Sequence, residues 1–157
     1  MKLTARLCSV LVLAILIAPI VLFQGCGNNK TIPDGSTITI MPDSIALNLT
    51  AGSHQVVALI KVVVRYADGT PIPYANLVVT GGFAAPETIT AYQFYWKPGG
   101  DTVLDNTAVP NGFKPQTDKN GVYDFSIVVD SPSAFSDTIY VTSGSVVGSA
   151  TIAMTTT

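Results

Sequence analysis

Beyond position 36 the chain alternates between apolar and polar side chains, and this pattern narrows the possible folds more than any other feature. In the longest example, the even positions from Val56 to Tyr66 are all apolar, whereas the odd positions include Lys61 and Arg65. A period of two places successive side chains on opposite faces of a strand, while a helix needs a period near 3.6. This part of the sequence therefore predicts strands with one buried face.

Shorter alternating segments, separated by residues typical of turns, repeat the pattern. They lie near 38–40, 45–49, 75–79, 92–96, 102–105, 123–129, 139–141 and 146–154. About eight short strands with turns between them are typical of an antiparallel β-sandwich whose sheets each have one wet face. We expect one such domain over residues 37–157. The alternation also places Tyr92, Phe94 and Trp96 on one face, where we expect them to pack in the core.

The N-terminus predicts an export signal. Lys2 and Arg6 precede an uncharged apolar run over residues 7–23, and Gly25 and Cys26 follow. A basic start, an apolar run and a small residue are typical of a secretory signal peptide. The run is also close to the minimum length of a membrane span, so an uncleaved anchor and plain secretion stay open as alternatives. In each case the basic start favours export of the body.

The five residues Leu-Phe-Gln-Gly-Cys at 22–26 resemble the lipobox of bacterial lipoproteins. The resemblance implies that residues 1–25 are a signal peptide cut between Gly25 and Cys26, and that Cys26 carries a covalent lipid. No other cofactor is expected. Residues 26–36 would form a polar, lipid-anchored tether to a membrane. In a cell with two membranes, Gly27, in place of the Asp that retains such proteins in the inner membrane, would by this resemblance permit transport to the outer membrane, so we expect the protein at the outer membrane or the cell surface.

Two turn motifs carry a second resemblance. In Asp68-Gly69-Thr-Pro71 and again in Asp118-Lys-Asn-Gly121, the Asp can accept backbone N–H bonds and the Gly can supply a positive φ, while Pro71 fixes φ before the next strand. With the closing segment 137–154, these turns resemble bacterial immunoglobulin-like domains of the invasin and intimin type. That resemblance implies an all-β, immunoglobulin-like sandwich acting as a non-catalytic adhesion, interaction or spacer module.

The composition argues against several other functions. Eight Lys and Arg against ten Asp and Glu give no basic surface for nucleic acid. The single His, His54, lies in a polar turn before a strand and gives no argument for a catalytic triad, and no phosphate loop or nucleophile elbow occurs, so we expect no enzyme. Isolated acids do not make a calcium loop, so we expect no metal site. The acids considered for calcium are Asp101, Asp105, Asp118, Asp124 and Asp130.

Three functions stay open at this point. The first is an envelope module that binds a protein or glycan through its loops or sheet edges, foremost the aromatic excursion over residues 81–116. The second is a fibre subunit in which residues 37–41 add as a strand to a neighbouring copy. The third is a carbohydrate-binding accessory domain with Tyr95 and Trp96 as its contact residues.

Overall fold

The computed structural model of the protein describes residues 31–49, 56–84, 91–96, 108–129 and 133–156, without the side chain of Trp96. The predicted signal peptide, Cys26 and the short strand near 102–105 lie outside these ranges. Every regular element within them is a β-strand. Among the same residues there is no helix long and apolar enough to cross a membrane.

The described residues form nine strands in two sheets. They are β1 (Thr37–Met41), β2 (Ser44–Leu49), β3 (Val56–Arg65), β4 (Val78–Gly81), β5 (Tyr92–Trp96), β6 (Ala108–Val109), β7 (Val122–Val129), β8 (Phe135–Ser143) and β9 (Val146–Thr156). One sheet has the order β1-β3-β7-β5-β6, and the other has the order β2-β9-β8-β4. All neighbours are antiparallel except β2 and β9, which are parallel.

This strand order is that of an immunoglobulin-like sandwich. Strands β1, β3, β7 and β5 correspond to strands A, B, E and D of that fold, and β4, β8 and β9 correspond to C, F and G. The first strand is divided in two, with β1 in one sheet and β2 in the other, and a cis peptide bond between Met41 and Pro42 lies between them. The predicted all-β sandwich is confirmed, with the short β6 as an addition to the strands that we expected.

The core lies between the inner faces of the two sheets. Ile60, Val62 and Val64 of β3 are at most 1% exposed, as the alternation predicted. Tyr92 and Phe94 of β5 are each 1% exposed, which confirms the prediction that they belong to the core. The rings of Phe94 and Phe125 meet edge to face, with their centroids 5.7 Å apart. Such aromatic pairs add to the apolar burial that holds the sheets together.

The packed body begins before the first strand. Ile32 is 5% exposed and belongs to the core, and its backbone N–H donates to the Ser143 hydroxyl at 3.4 Å. The Ser145 hydroxyl donates to the Asp34 carboxylate. The β8–β9 turn therefore holds residues 31–36, which we expected to belong to the tether, because the apolar side chain of Ile32 finds a buried place there.

The last part of the 81–116 segment pairs with one edge of the four-stranded sheet. Residues 111–118 run antiparallel to residues 74–81, and backbone N–H groups of Leu77 and Val79 donate to the carbonyls of Pro115 and Phe113 at 2.9 and 3.0 Å. The amide of Asn111 continues the pairing by both donating to and accepting from the backbone of Gly81. Much of the predicted excursion is therefore part of the sandwich, while residues 85–90 and 97–107 lie outside the description.

Candidate interaction surfaces

The outer face of the four-stranded sheet carries no charged side chain on its four strands, and the exposed Lys114 lies on the segment that extends the sheet beyond β4. We call this outer face the hydroxyl face, because most of its members are Ser or Thr. Its members are Ser44, Ala46, Asn48, Val78, Thr80, Ser136, Thr138, Tyr140, Thr142, Val147, Ser149, Thr151, Ala153 and Thr155. These residues are exposed or half-buried, and the residues between them along each strand point into the core.

Two large apolar side chains break the run of hydroxyls. Tyr140 is 45% exposed and lies directly opposite Ser149 on β9 and Thr80 on β4. Val147 is 56% exposed and lies opposite Thr142. The absence of charge on these strands and the exposed Tyr140 agree with the centre of protein–protein interfaces, where charged residues are depleted and aromatic residues are enriched; the many Ser residues do not, because Ser is depleted there as well.

The outer face of the five-stranded sheet differs in charge. Lys61 and Asp124 lie opposite each other across β3 and β7, and Arg65 ends β3. Leu59 is 57% exposed, but the centre of this face is buried. Ser126 lies there fully buried, and its hydroxyl has no hydrogen-bond partner. We predicted one solvent-exposed face for each sheet. The outer face of the five-stranded sheet is only partly exposed, because it combines charged, apolar and buried positions.

The aromatic residues predicted as carbohydrate contacts lie on β5. Tyr95 is half-buried on the outer face of the five-stranded sheet, directly opposite Ser126, and its hydroxyl donates to Gln93 at 3.1 Å. The backbone of Trp96 pairs with Phe125, but its side chain lies outside the description. The described residues therefore bring only Tyr95 of this pair to a surface.

The two predicted turns meet at one end of the sandwich. At the first, the Asp68 carboxylate accepts from the Thr70 backbone N–H at 2.9 Å and from the Thr70 hydroxyl, and Gly69 has a φ of 86°. These two hydrogen bonds hold the pKa of Asp68 below its usual value. Pro71 follows as an isolated bridge partner of Arg65, so the chain re-enters extended structure where we predicted.

At the second turn, Asp118 accepts backbone N–H bonds from Asn120 and Val122, both at 2.8 Å. Gly121 has a φ of 72° and packs against the backbone on either side of the first turn, because its C=O accepts from the Val64 N–H and the Ile72 backbone lies beside it. A Cβ at Gly121 would lie 2.6 Å from the Val64 carbonyl oxygen. The Asp118 carboxylate thus stabilises its turn as predicted.

The Asp137 carboxylate is engaged by groups of the sandwich itself. Asp137 is saturated by structural bonds, because it accepts from the Tyr92 hydroxyl at 2.7 Å and from backbone N–H groups of Phe83 and Thr138 at 2.8 and 2.7 Å. Burial and then the bond to Asp137 raise the pKa of Tyr92. No group of three His, Cys, Asp or Glu that could hold a metal occurs among these residues. His54, Asp101, Asp105 and Asp130 lie outside them.

The sequence reasoning missed the hydroxyl face as a surface, although its signal was present. Outward positions of the last two strands, from Ser136 to Thr155, include no charged residue. What the alternation alone could not show is that these strands pair with β2 and β4, which lie far away in sequence and carry the same uncharged composition. The extent of the face follows from that pairing.

No protein-family model and no curated protein matches the sequence. Solved structures match at low identity. The D0-D1 domain of intimin is 12% identical, with 74% of this chain and 45% of that chain covered and a TM-score of 0.42. Domains 4 and 5 of the S-layer protein SbsC are 18% identical, with 75% and 50% covered and a TM-score of 0.38.

A third solved structure is WR4, an MSP family member of C. elegans. It is 10% identical, with 77% of this chain and 98% of that chain covered and a TM-score of 0.42. This chain thus spans about half the length of the intimin and S-layer structures that it matches. The immunoglobulin-like assignment made above rests on strand order and register.

Proposed function

We propose that the protein is a non-catalytic interaction module of the cell envelope, held by a lipid on Cys26, which binds a partner protein through the hydroxyl face. The observation that carries the proposal is the lack of charge across the outward positions of all four strands of that sheet. Charged side chains lose hydration when a contact buries them, so an uncharged face docks at lower cost. The opposite sheet carries Lys61, Arg65 and Asp124 on its outer face.

The size of the hydroxyl face supports the same function. Outward residues of β9 run from Val147 to Thr155, and the strands lie side by side from β2 to β4. Strand spacings of about 4.8 Å and rises of about 3.3 Å per residue give roughly 500 Å² for the face. Contact over the whole face would bury about 1,000 Å² on the two partners together, which is the lower bound for a specific interface.

Single charges on the two sheets test this function with a matched pair of variants. Thr151→Lys places a cation on the hydroxyl face, and Thr39→Lys places one on the outer face of β1, where Thr39 is also exposed. We expect the full chain, solubilised gently from envelopes, to migrate on native gels in a complex that Thr151→Lys disrupts and Thr39→Lys preserves. A complex unaffected by Thr151→Lys would refute the proposed surface.

Fibre assembly by strand addition has less support in the described residues. The segment that we considered as a donor, residues 37–41, already pairs with β3 of its own chain along its whole length, from Thr37 opposite Arg65 to Met41 opposite Lys61. A neighbouring copy would have to displace this strand or add outside it. Differently tagged copies in the native complex would show whether the partner on the hydroxyl face is a second copy of this chain.

A further inference from the structure

Three connections and the N-terminal segment meet at one end of the sandwich, which we call the anchor end. It consists of residues 31–36, 66–74, 117–121 and 144–145. Thr31 lies beside Gly144, with its Cβ 3.7 Å from the position of a Cβ built on that glycine. Gly148 packs on the Ile38 backbone, and Thr37 pairs with Arg65 at the end of β3. The β8–β9 turn, the N-terminal segment and the β3–β4 connection are therefore neighbours.

Because residues 31–36 pack against the body, only residues 27–30 separate Cys26 from the described structure. Five Cα steps separate Cys26 from Thr31, and a fully extended chain spans at most about 3.6 Å per residue, which gives roughly 18 Å. Since Ile32 and Asp34 are held by the β8–β9 turn, this limit applies to the body itself. A lipid on Cys26 would keep the anchor end within that distance of the membrane surface.

Two tyrosines are exposed at this end. Tyr66 follows β3 and is 36% exposed, and Tyr74 is 51% exposed. Tyr74 is the one non-glycine residue with a positive φ, 56°, in the described part of the chain. A bulky side chain rarely adopts this conformation. A hydrogen bond from the Tyr74 backbone N–H to the Asp118 carbonyl, at 3.3 Å, holds this backbone conformation. The exposed position of the Tyr74 ring therefore costs backbone strain.

We infer that the anchor end docks on the phospholipid headgroups of the membrane that holds the Cys26 lipid, with Tyr66 and Tyr74 at the interface. The inference rests on the proposed lipid anchor. Tyrosine suits this position because its ring is apolar and its hydroxyl stays hydrated, and it is enriched at membrane–water boundaries. Arg65 and Lys119 are exposed at the same end, but so are the carboxylates of Asp34, Asp68 and Asp118, so the two tyrosines and the short distance to Cys26 carry the inference, and net charge does not. The hydroxyl face then stands at the side of the molecule, open to a neighbour.

Tryptophan fluorescence in vesicles tests this orientation. In a Trp96→Phe background, the lipidated full chain carries a single reporter, Tyr74→Trp or Tyr66→Trp at the anchor end, or Tyr140→Trp on the hydroxyl face as the matched control. Tyr140 is as exposed as the other two but lies on a sheet face. Vesicles of phosphatidylethanolamine and phosphatidylglycerol contain acyl chains brominated near the headgroup, which quench only nearby indoles.

We expect quenching and a blue shift for both anchor-end reporters and neither effect for Tyr140→Trp. Intact mass of the same sample separates the two levels of the proposal. A lipid on Cys26 with unquenched anchor-end reporters, or with equal quenching at all three positions, would overturn the docked orientation and leave the anchor intact. A mass without lipid would overturn the anchor and the orientation together.

Discussion

Replacing Gly121 by Ala should destabilise the fold far more than the same change at Gly69. Both glycines occupy predicted turns and have similar left-handed φ values, 72° and 86°. A left-handed conformation costs an L-residue roughly 1–2 kcal/mol, so this contribution is common to the two variants. Space distinguishes them, because nothing lies within 4 Å of a Cβ at Gly69, whereas a Cβ at Gly121 would lie 2.6 Å from the Val64 oxygen.

The contact at Gly121 is with backbone, so it cannot be relieved by rotating a side chain. Its Cβ would also approach the Ile72 N at 3.0 Å. Moving these groups apart weakens two hydrogen bonds, from Val64 N to Gly121 O at 2.8 Å and from Ile72 N to Val64 O at 3.0 Å. With overpacking at about 1–3 kcal/mol and each bond at about 1 kcal/mol, Gly121→Ala should cost at least about 3 kcal/mol.

Urea and thermal unfolding of the two variants measure this difference. For a domain of this size, 1 kcal/mol shifts the melting temperature by roughly 3–6 °C, so Gly69→Ala should lose about 5 °C and Gly121→Ala at least about 10 °C. Equal losses would refute the packing of the second turn against the first. A Gly121→Ala variant that does not fold at all, beside a folded Gly69→Ala variant, would agree with the prediction.

Three further predictions concern buried polar groups. Thr117→Val should lower the free energy of unfolding, measured in urea, by about 1–3 kcal/mol. The Thr117 hydroxyl accepts from the Ala75 N–H at 2.8 Å, and the variant leaves that donor buried and unpaired. An unchanged urea midpoint would contradict this prediction. Asp137→Ala should cost about 2–3 kcal/mol, since the Tyr92 hydroxyl and nearby backbone donors lose their acceptor, and a stable variant would show that water replaces the carboxylate. Burial, with the charge of a neighbouring carboxylate, raises the pKa of Tyr123 above its ordinary 10.0. The protonated Tyr123 hydroxyl therefore makes its full contribution to the free energy of unfolding below about pH 10, and this contribution is lost as the pH rises further. Because Phe does not titrate, Tyr123→Phe should flatten the fall in the urea midpoint between about pH 10 and pH 12.

Local features of the fold were predictable from the sequence. The turns at Asp68-Gly69 and Asp118 to Gly121 formed as expected, because carboxylate-to-backbone bonds and positive φ involve residues a few positions apart. The buried face of β3 also followed from alternation, since each residue's side of a strand depends only on its position along that strand.

Features that depend on distant pairing were not predictable. Ile32 packs beside Ser143, more than a hundred residues away, and nothing in the short polar segment around Ile32 distinguishes it from a tether. Likewise, residues 111–118 extend the sheet beyond β4 through single bridges and an Asn side chain, without the alternation that marks a strand. The hydroxyl face needed the register of four strands before its composition became a property of one surface.

Site-specific photocrosslinking in intact cells tests the central proposal most directly. A photoreactive amino acid replaces Ser149 on the hydroxyl face of the full chain, or Thr39 on the outer face of the opposite sheet, both exposed positions. We expect a discrete crosslinked product from position 149 that disappears with Thr151→Lys, and none from position 39. Products from position 39 alone, or identical products from both, would contradict the assignment of function to the hydroxyl face.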